Sequence, residues 1–152
     1  MVLNKDFREF IESLNTNNVQ YLIVGGYAVG LHGYPRYTKD LDVWLLSSAE
    51  NAGHIIEALS EFGMEGLGLK KEDFLKTDEF IQIGYPPNRI DLVLSCDGVD
   101  FDICYENRVE VTVDGLIINF IDLENLKKNK KATGRLQDLA DLDNLEANKP
   151  PC

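Results

Sequence analysis

The chain has 152 residues, of which 44% are hydrophobic and 27% are charged. This length and composition predict one globular domain over residues 1–152 and exclude a mostly disordered or fibrous protein. Fifteen Lys and Arg against 26 Asp and Glu give a net charge of −11, which argues against a dedicated duplex-binding protein because phosphate neutralisation needs a basic surface.

Targeting and redox features are weak in this sequence. No window approaches the roughly 18 apolar residues of a membrane span, and the N-terminus lacks a basic segment followed by an apolar signal core. We therefore expect a cytoplasmic protein with no membrane partner. Cys96, Cys104 and Cys152 are odd in number and fit neither a disulfide framework nor a CxxC metal site, so we expect free thiols.

The first half of the chain alternates between helical and strand patterns. Phe7, Phe10, Ile11 and Leu14 have the spacing of one helical stripe, which predicts a helix over residues 4–15. The elements expected next are a strand over 19–24, a short helix over 27–31, a strand over 38–46, and a helix from 47 to 63.

The second half predicts further strands and a helical C-terminus. Strands are expected over residues 80–83 and 90–94, followed by one or two helical turns over 101–107. Asp114-Gly115 is a two-residue hairpin signal between strands over 109–113 and 116–120. Regularly spaced leucines then predict two helices, broken around Thr133-Gly134, that pack on the sheet.

Three carboxylates stand in apolar strand contexts. Residues two apart on a strand project from one face, so Asp40 and Asp42 aim two carboxylates at one spot while Leu41 and Val43 face the core. Paired like charges on a strand need a compensating cation, and Mg²⁺, or Mn²⁺ in its place, suits oxygen ligands. Asp91 can deliver a third carboxylate from a strand that we expect to pair near the Asp40 strand.

A glycine turn and two basic residues precede the first two carboxylates. Gly25 and Gly26, at the predicted strand-to-helix turn, allow phosphate oxygens to approach the backbone without a Cβ in the way. Arg36 and Lys39 could neutralise β- and γ-phosphate charge, and Thr38 could steady the turn. His32, nearby, is more often a packed or capping residue than a catalytic one.

The basic run at residues 127–131 has two interpretations. It is most simply a solvated helix face, with Arg135, Asp138 and Asp141 forming surface ion pairs at helical spacings. Alternatively, Lys130, Lys131 or Arg135 binds phosphate, or the run holds an RNA end. Each motif is weak alone, whereas the glycine turn together with three carboxylates favours a site for a metal and a nucleotide.

These residues resemble the signature of the nucleotidyltransferase superfamily, in which an apolar-Gly-Gly turn precedes Asp-x-Asp. Here the signature reads Val24-Gly25-Gly26 and, thirteen residues later, Asp40-Leu41-Asp42, with Asp91 as the third acid. The segment GGYAVGLHGYPRYTKDLDVWL looks like the small prokaryotic stand-alone members, including AbiEii-like toxins, and LKKNKKATGRLQDLADLDNLE is similar to their closing helices.

The resemblance implies a polymerase-beta-like α/β (α+β) fold, with a mixed sheet, flanking helices and a C-terminal helix pair. The core would span about 19–121 and the closing helices about 122–147. It further implies a Mg²⁺-dependent enzyme that moves an NMP group from an NTP, such as ATP, to a hydroxyl acceptor and releases pyrophosphate. Asp40, Asp42 and Asp91 would be the catalytic and metal-binding residues, with phosphate held at the glycine turn.

The acceptor stays open at this point: an RNA end such as that of tRNA, a protein hydroxyl or a small molecule. A toxin-antitoxin or phage-defence setting with a cognate protein partner is plausible by resemblance only. The chain lacks the large substrate domain of polymerases, which argues against template-directed synthesis. The alternative is a non-enzymatic nucleotide sensor or complex partner that keeps the fold.

Overall fold

The structure is a computed structural model that describes residues 3–33, 40–64, 67–85 and 87–147. The α-helices are α1 (Lys5–Thr16), α2 (Gly25–Leu31), α3 (Ala49–Glu61), α4 (Phe101–Glu106), α5 (Leu123–Thr133) and α6 (Leu136–Ala147). The strands are β1 (Tyr21–Val24), β2 (Asp40–Leu45), β3 (Phe80–Ile83), β4 (Arg89–Val93), β5 (Val109–Val113) and β6 (Leu116–Phe120). A 3₁₀ helix, Lys71–Leu75, precedes β3.

The six strands form one mixed sheet in the order β3-β4-β2-β1-β6-β5. Antiparallel pairs join β1 to β2, β3 to β4 and β5 to β6, whereas β2 pairs with β4 and β1 with β6 in parallel. This confirms the predicted class of a mixed sheet with flanking helices. It also confirms that the strand containing Asp91 pairs with the strand containing Asp40.

Local sequence signals explain where the helices begin and end. Asn4 caps α1 because its side-chain oxygen accepts a hydrogen bond from the Phe7 N–H at 2.9 Å, and Ser48 caps α3 by accepting from the Asn51 N–H at 3.1 Å. Gly134, with a left-handed φ of 69°, ends α5 and separates the two C-terminal helices. The predicted helix pair is therefore confirmed.

Most predicted boundaries differ from the observed ones by one or two residues. The strand over 80–83 and the hairpin over 109–120 have the predicted bounds. The first strand begins at Tyr21 instead of residue 19, because the Val19 N–H donates to the Leu14 carbonyl as the chain leaves α1. Helix α2 begins at Gly25 rather than residue 27, and the 3₁₀ helix was not predicted.

The core lies on both faces of the central strands. The apolar stripe of α1 is fully buried, as are Leu41 and Val43 on one face of β2. On the opposite face, the Trp44 ring packs edge-on against Phe101 of α4, with ring centroids 5.1 Å apart. Within the described residues, no helix is long and apolar enough to cross a membrane.

Candidate active site

Asp40 and Asp42 project from one face of β2, as the two-residue period predicts. Both are partly exposed, whereas the intervening Leu41 and the following Val43 are buried at 1% and 0% exposure. The two carboxylates therefore lie on the same face of β2 as Trp44. They are partly exposed there, whereas Trp44 is covered by α4.

Asp91 lies directly beside Asp42. The parallel pairing of β2 with β4 puts these two residues in register, and Asp91 is buried, with 7% of its surface exposed. In the same register Val24 of β1 is opposite Asp42, and Gln82 of β3 is opposite Asp91. The four residues form one row across the sheet, with the two carboxylates at its centre.

Arg89 is a site residue that the sequence reasoning missed. Its Nε donates to Asp91 Oδ1 at 3.0 Å and its terminal nitrogen to Asp91 Oδ2 at 2.9 Å. The same terminal nitrogen lies 3.2 Å from Asp40 Oδ2. Arg89 is two residues before Asp91 on a strand, and this spacing was a signal available in the sequence, because it places a cation beside the third carboxylate.

Burial and neighbouring charge act together on Asp42. Burial raises the pKa of Asp42 from 3.8 to about 7, and the carboxylates of Asp91 and Asp40 add to that rise. Lys130 and Arg89 oppose it but do not cancel it. Asp42 is thus a carboxyl group whose charged form is disfavoured until a further cation arrives.

The glycine turn contacts the same carboxylate. Gly25 follows Val24 directly, has a left-handed φ of 69°, and begins α2. A Cβ built on Gly25 would overlap the Asp42 carboxylate and would lie 2.9 Å from its Cγ. Only glycine fits both the backbone conformation and this contact. Gly26 is buried in the first turn of α2.

A cleft of about 490 Å³ opens over this row of residues. The sheet supplies its floor, including Val24, Gly25, Asp42 and Asp91, and α5 and α6 supply the opposite wall. Side chains from that wall are Asn129, Lys130, Thr133, Arg135 and Asp138. Two of the three sequence-predicted carboxylates, Asp42 and Asp91, therefore meet the first glycine and two of the predicted basic residues in one cleft. Asp40 is not among the lining residues and is linked to them through Arg89.

The burial of the charged residues on the wall formed by α5 and α6 differs from what the sequence predicted. Lys130 is only 5% exposed, and its Nζ lies 3.2 Å from Asp138 Oδ1 and 3.1 Å from Asp141 Oδ2, both of which are buried. Arg135 Nε donates to Asp138 Oδ2 at 2.7 Å. The predicted Arg135–Asp138 ion pair forms, and the Arg135 side chain is exposed as expected. Its acidic partners are not on the surface, because Asp138 and Asp141 are buried where α6 packs on α5 and Lys130 joins them.

The basic partners of Asp138 favour its charged form. Burial alone would raise the pKa of Asp138, but the hydrogen bond from Arg135 and the charge of Lys130 lower it below its ordinary value. The Asp138 hydrogen bond likewise raises the pKa of Arg135. Lys130 and Arg135 thus contact carboxylates on α6, while the exposed Lys131 is not among the residues that line the cleft.

The remaining predicted residues either lie away from the cleft or are not among the residues that the structure describes. Arg36, Thr38 and Lys39 lie outside the described residues. His32 caps α2, and its Nε2 lies 2.8 Å from the Ile121 carbonyl oxygen, which agrees with a structural role. Cys96 and Cys104 are free thiols, and burial raises the pKa of Cys104 to about 11.

The three carboxylates can be compared with the ligands that a divalent cation requires. In the part of the chain that the structure describes, no group of three or more His, Cys, Asp or Glu is gathered as metal ligands. Asp40, Asp42 and Asp91 nevertheless offer oxygen donors only, which Mg²⁺ prefers. Burial, and after it the charges of Asp91 and Asp40, raises the pKa of Asp42, and a bound cation would oppose this rise. The residues fit the ion in chemistry, with Arg89 held between two of the three carboxylates.

The fold is similar to those of three solved structures. TM1012 from Thermotoga maritima, assigned as a nucleotidyltransferase, aligns with a TM-score of 0.59 at 16% identity, covering 93% of this chain and 91% of that chain. An antigenic nucleotidyltransferase-like protein from Paracoccidioides brasiliensis gives a TM-score of 0.54 at 18% identity, covering 99% and 80%. The lincosamide antibiotic adenylyltransferase LnuA, bound to lincomycin, gives 0.53 at 13% identity, covering 97% and 99%.

These likenesses show that the chain has a nucleotidyltransferase-like fold, as the sequence resemblance implied. No protein-family profile matches the chain, and no curated protein matches it by sequence. The more specific likeness to AbiEii-like toxins stays a prediction.

Proposed function

We propose that the protein is a Mg²⁺-dependent nucleotidyltransferase that moves an NMP group from an NTP to a hydroxyl acceptor and releases pyrophosphate. The observation that carries this proposal is the register of Asp42 with Asp91 on adjacent parallel strands, directly beside the Gly25 backbone. Fold similarity to TM1012 and LnuA supports the same reaction class.

The three carboxylates and the glycine turn each have a role in this reaction. Asp40 and Asp42 would hold the metal ion, which supplies charge neutralisation for the triphosphate when bound. The Gly25-Gly26 backbone would lie against phosphate oxygens. Asp91 would orient the acceptor hydroxyl and accept its proton as the new oxygen–phosphorus bond forms and the bond to pyrophosphate breaks.

The opposite wall would contribute to binding of the triphosphate. Arg135 is well exposed at its side chain and can turn toward an anion in the cleft while it stays near Asp138. Lys130 is held by two buried carboxylates, so its charge would act through the field in the cleft, where it already lowers the pKa of Asp42. Arg36 and Lys39 remain candidates for phosphate contacts. A cytoplasmic location and a toxin-antitoxin or phage-defence setting also remain proposals.

A second candidate is a nucleotide-binding module without transfer activity. Arg89 favours it, because it already donates a hydrogen bond to each carboxylate oxygen of Asp91 and so competes with an acceptor hydroxyl for that carboxylate. In this alternative Arg89 is a permanent replacement for a cation, and nucleotide binds without chemistry.

Pyrophosphate release from each NTP, with Mg²⁺ or Mn²⁺ and with or without added alcohols, separates the two candidates. Transfer predicts metal-dependent pyrophosphate release by the wild type that Asp42→Asn abolishes. Asp143→Asn, which alters an exposed carboxylate on α6, is the matched control and should keep the wild-type rate. Nucleotide binding with no pyrophosphate release in any mixture would instead establish the binding module.

A further inference from the structure

The order of the strands gives the cleft two distinct sides. The glycine turn follows β1, and Gly25 contacts Asp42 on β2. Asp91 lies on β4, and β3 lies beyond it at the edge of the sheet. If phosphates lie against Gly25 and Asp42, an in-line reaction requires the acceptor hydroxyl to reach Asp91 from the β3 side.

The side chains on the β3 side of the cleft are the phenyl ring of Phe80 and the amide of Gln82. Phe80 and Gln82 are opposite Val93 and Asp91 in the antiparallel register, so they share the face that carries the carboxylates. Both line the cleft, and 58% of Phe80 is exposed. A phenyl ring exposed on the wall of a polar cleft offers a flat apolar surface on which a ring can stack, and the Gln82 amide can donate or accept beside it.

The charge on this side favours a particular kind of acceptor. The wall continues with Ser95 and Asp97, which supply a hydroxyl and a carboxylate. Among the described residues of the cleft, the cations Arg89, Lys130 and Arg135 all contact carboxylates. A polyanionic acceptor such as RNA would therefore meet negative charge here without the neutralisation that its phosphates require.

We propose that Phe80, Gln82 and the Ser95–Asp97 loop form the acceptor subsite, and that it takes a small, neutral or cationic hydroxyl compound whose ring stacks on Phe80. This proposal rests on the proposed function, since it locates the second substrate of the same reaction. It selects one of the three acceptor classes that the sequence left open, and it assigns ring recognition to a residue outside the sequence motifs.

The test follows α-labelled NTP into a panel of ring-bearing hydroxyl compounds that includes adenosine, pyridoxine and tyramine. Matched anions are AMP and pyridoxine 5′-phosphate, and the macromolecular arms are short RNA and the protein itself. Label should enter neutral or cationic compounds, and Phe80→Ala should raise the KM of the acceptor about tenfold, more than that of the NTP, because a stacked ring is lost.

Two further variants separate the effect of ring stacking on KM from any effect on the fold. Phe80→Trp should restore the low acceptor KM, whereas Phe80→Ala should not. Ile117→Ala, which removes a similarly exposed apolar side chain from β6, should leave both KM values at wild-type levels. Thermal unfolding of each variant checks that the fold is kept.

Several results would overturn the proposal. Preferential labelling of the phosphorylated compounds, RNA or protein would assign another acceptor class. An acceptor KM that is unchanged in Phe80→Ala would remove Phe80 from the subsite. If the wild type releases pyrophosphate to water but labels none of the ring compounds, the acceptor proposal fails while the proposed function stands. If it neither binds NTP nor releases pyrophosphate, both fail.

Discussion

Arg89 and Asp91, two residues apart on β4, form a two-point ion pair in which Arg89 nitrogens lie 3.0 and 2.9 Å from the two carboxylate oxygens. The hydrogen bond to Asp91 raises the pKa of Arg89, so the guanidinium stays charged. Because the same guanidinium reaches Asp40, it links the first and third carboxylates of the site. A cation supplied by the chain thus lies where the sequence alone predicted a metal ion.

Removing that cation should make the protein more dependent on Mg²⁺. Arg89→Ala leaves Asp40 and the buried Asp91 without the guanidinium, so we expect a lower Tm. Added Mg²⁺ should raise the Tm of this variant more than that of the wild type, because the carboxylates become available to the ion. Thermal unfolding over a Mg²⁺ titration measures this difference.

Two controls accompany the Arg89 experiment. Arg89→Lys keeps the charge but loses the two-point geometry, so it should lie between wild type and Arg89→Ala. Lys76→Ala removes an exposed partner of Asp73 and should not change the response to Mg²⁺. Equal Mg²⁺ shifts in wild type and Arg89→Ala would show that Arg89 does not compete with the metal.

The raised pKa of Asp42 makes a prediction about stability and pH. Its pKa is about 7 in the folded protein against 3.8 in a free carboxyl group, so the folded state holds the proton more tightly. This group therefore costs no stability below about pH 4, and it increasingly destabilises the fold as the pH rises toward 7. Asp42→Asn removes that cost.

The stability of Asp42→Asn relative to the wild type should thus grow from pH 4 to pH 7.5, reaching about 2–4 kcal/mol in the absence of metal. Urea denaturation at several pH values measures it, with Asp143→Asn as an exposed control. Mg²⁺ should reduce the difference, since only the wild type gains a ligand. A difference that is constant across this pH range would contradict the shifted pKa.

The contact between Gly25 and Asp42 can be separated from backbone strain. Gly25→Ala places a methyl group on the Asp42 carboxylate at a left-handed φ of 69°. Gly63→Ala is a matched control because its φ is 88° and a Cβ there would have no atom within 4 Å. Left-handed strain alone should cost about 1–2 kcal/mol, and Gly25→Ala should cost clearly more.

Nucleotide binding gives the Gly25 experiment a second measurement. Gly25→Ala should also lose the stabilisation that NTP and Mg²⁺ give, because the methyl group fills the space beside the carboxylate. Gly63→Ala should keep it. Equal destabilisation by the two variants, with equal nucleotide binding, would show that the glycine turn has no role beyond its conformation.

The parts of the site that were predictable from sequence are those set by local geometry. The two-residue strand period was enough to place Asp40 and Asp42 on one face with Leu41 buried behind them. The register of Asp42 with Asp91 was expected only as proximity, because the pairing of distant strands depends on the whole sheet. Arg89 was overlooked although the same period places it beside Asp91.

The C-terminal helices show what sequence reasoning could not reach. Helical spacings suggested surface ion pairs among Arg135, Asp138 and Asp141, but helical periodicity does not say which face another helix covers. Packing of the two helices decided that Lys130 and Asp138 are buried. The position of the Phe80 ring in the cleft was equally hidden, since one exposed ring on an edge strand has no sequence pattern.

The buried ion network should make Lys130 important for stability. Lys130→Met leaves Asp138 with Arg135 alone and deprives Asp141 of the Lys130 charge, so we expect a loss of about 3–5 kcal/mol, the usual result of removing one member of a buried pair. Lys131→Ala, at the exposed next position of α5, should change stability by less than about 0.5 kcal/mol. Urea denaturation of both variants compares them directly.

If the cost arises from uncompensated charge, adding Asp141→Asn to Lys130→Met should recover part of the loss, because the Asn oxygen can still accept from Gln137. An unchanged loss in the double variant would assign the effect of Lys130 to packing of its side chain between α5 and α6.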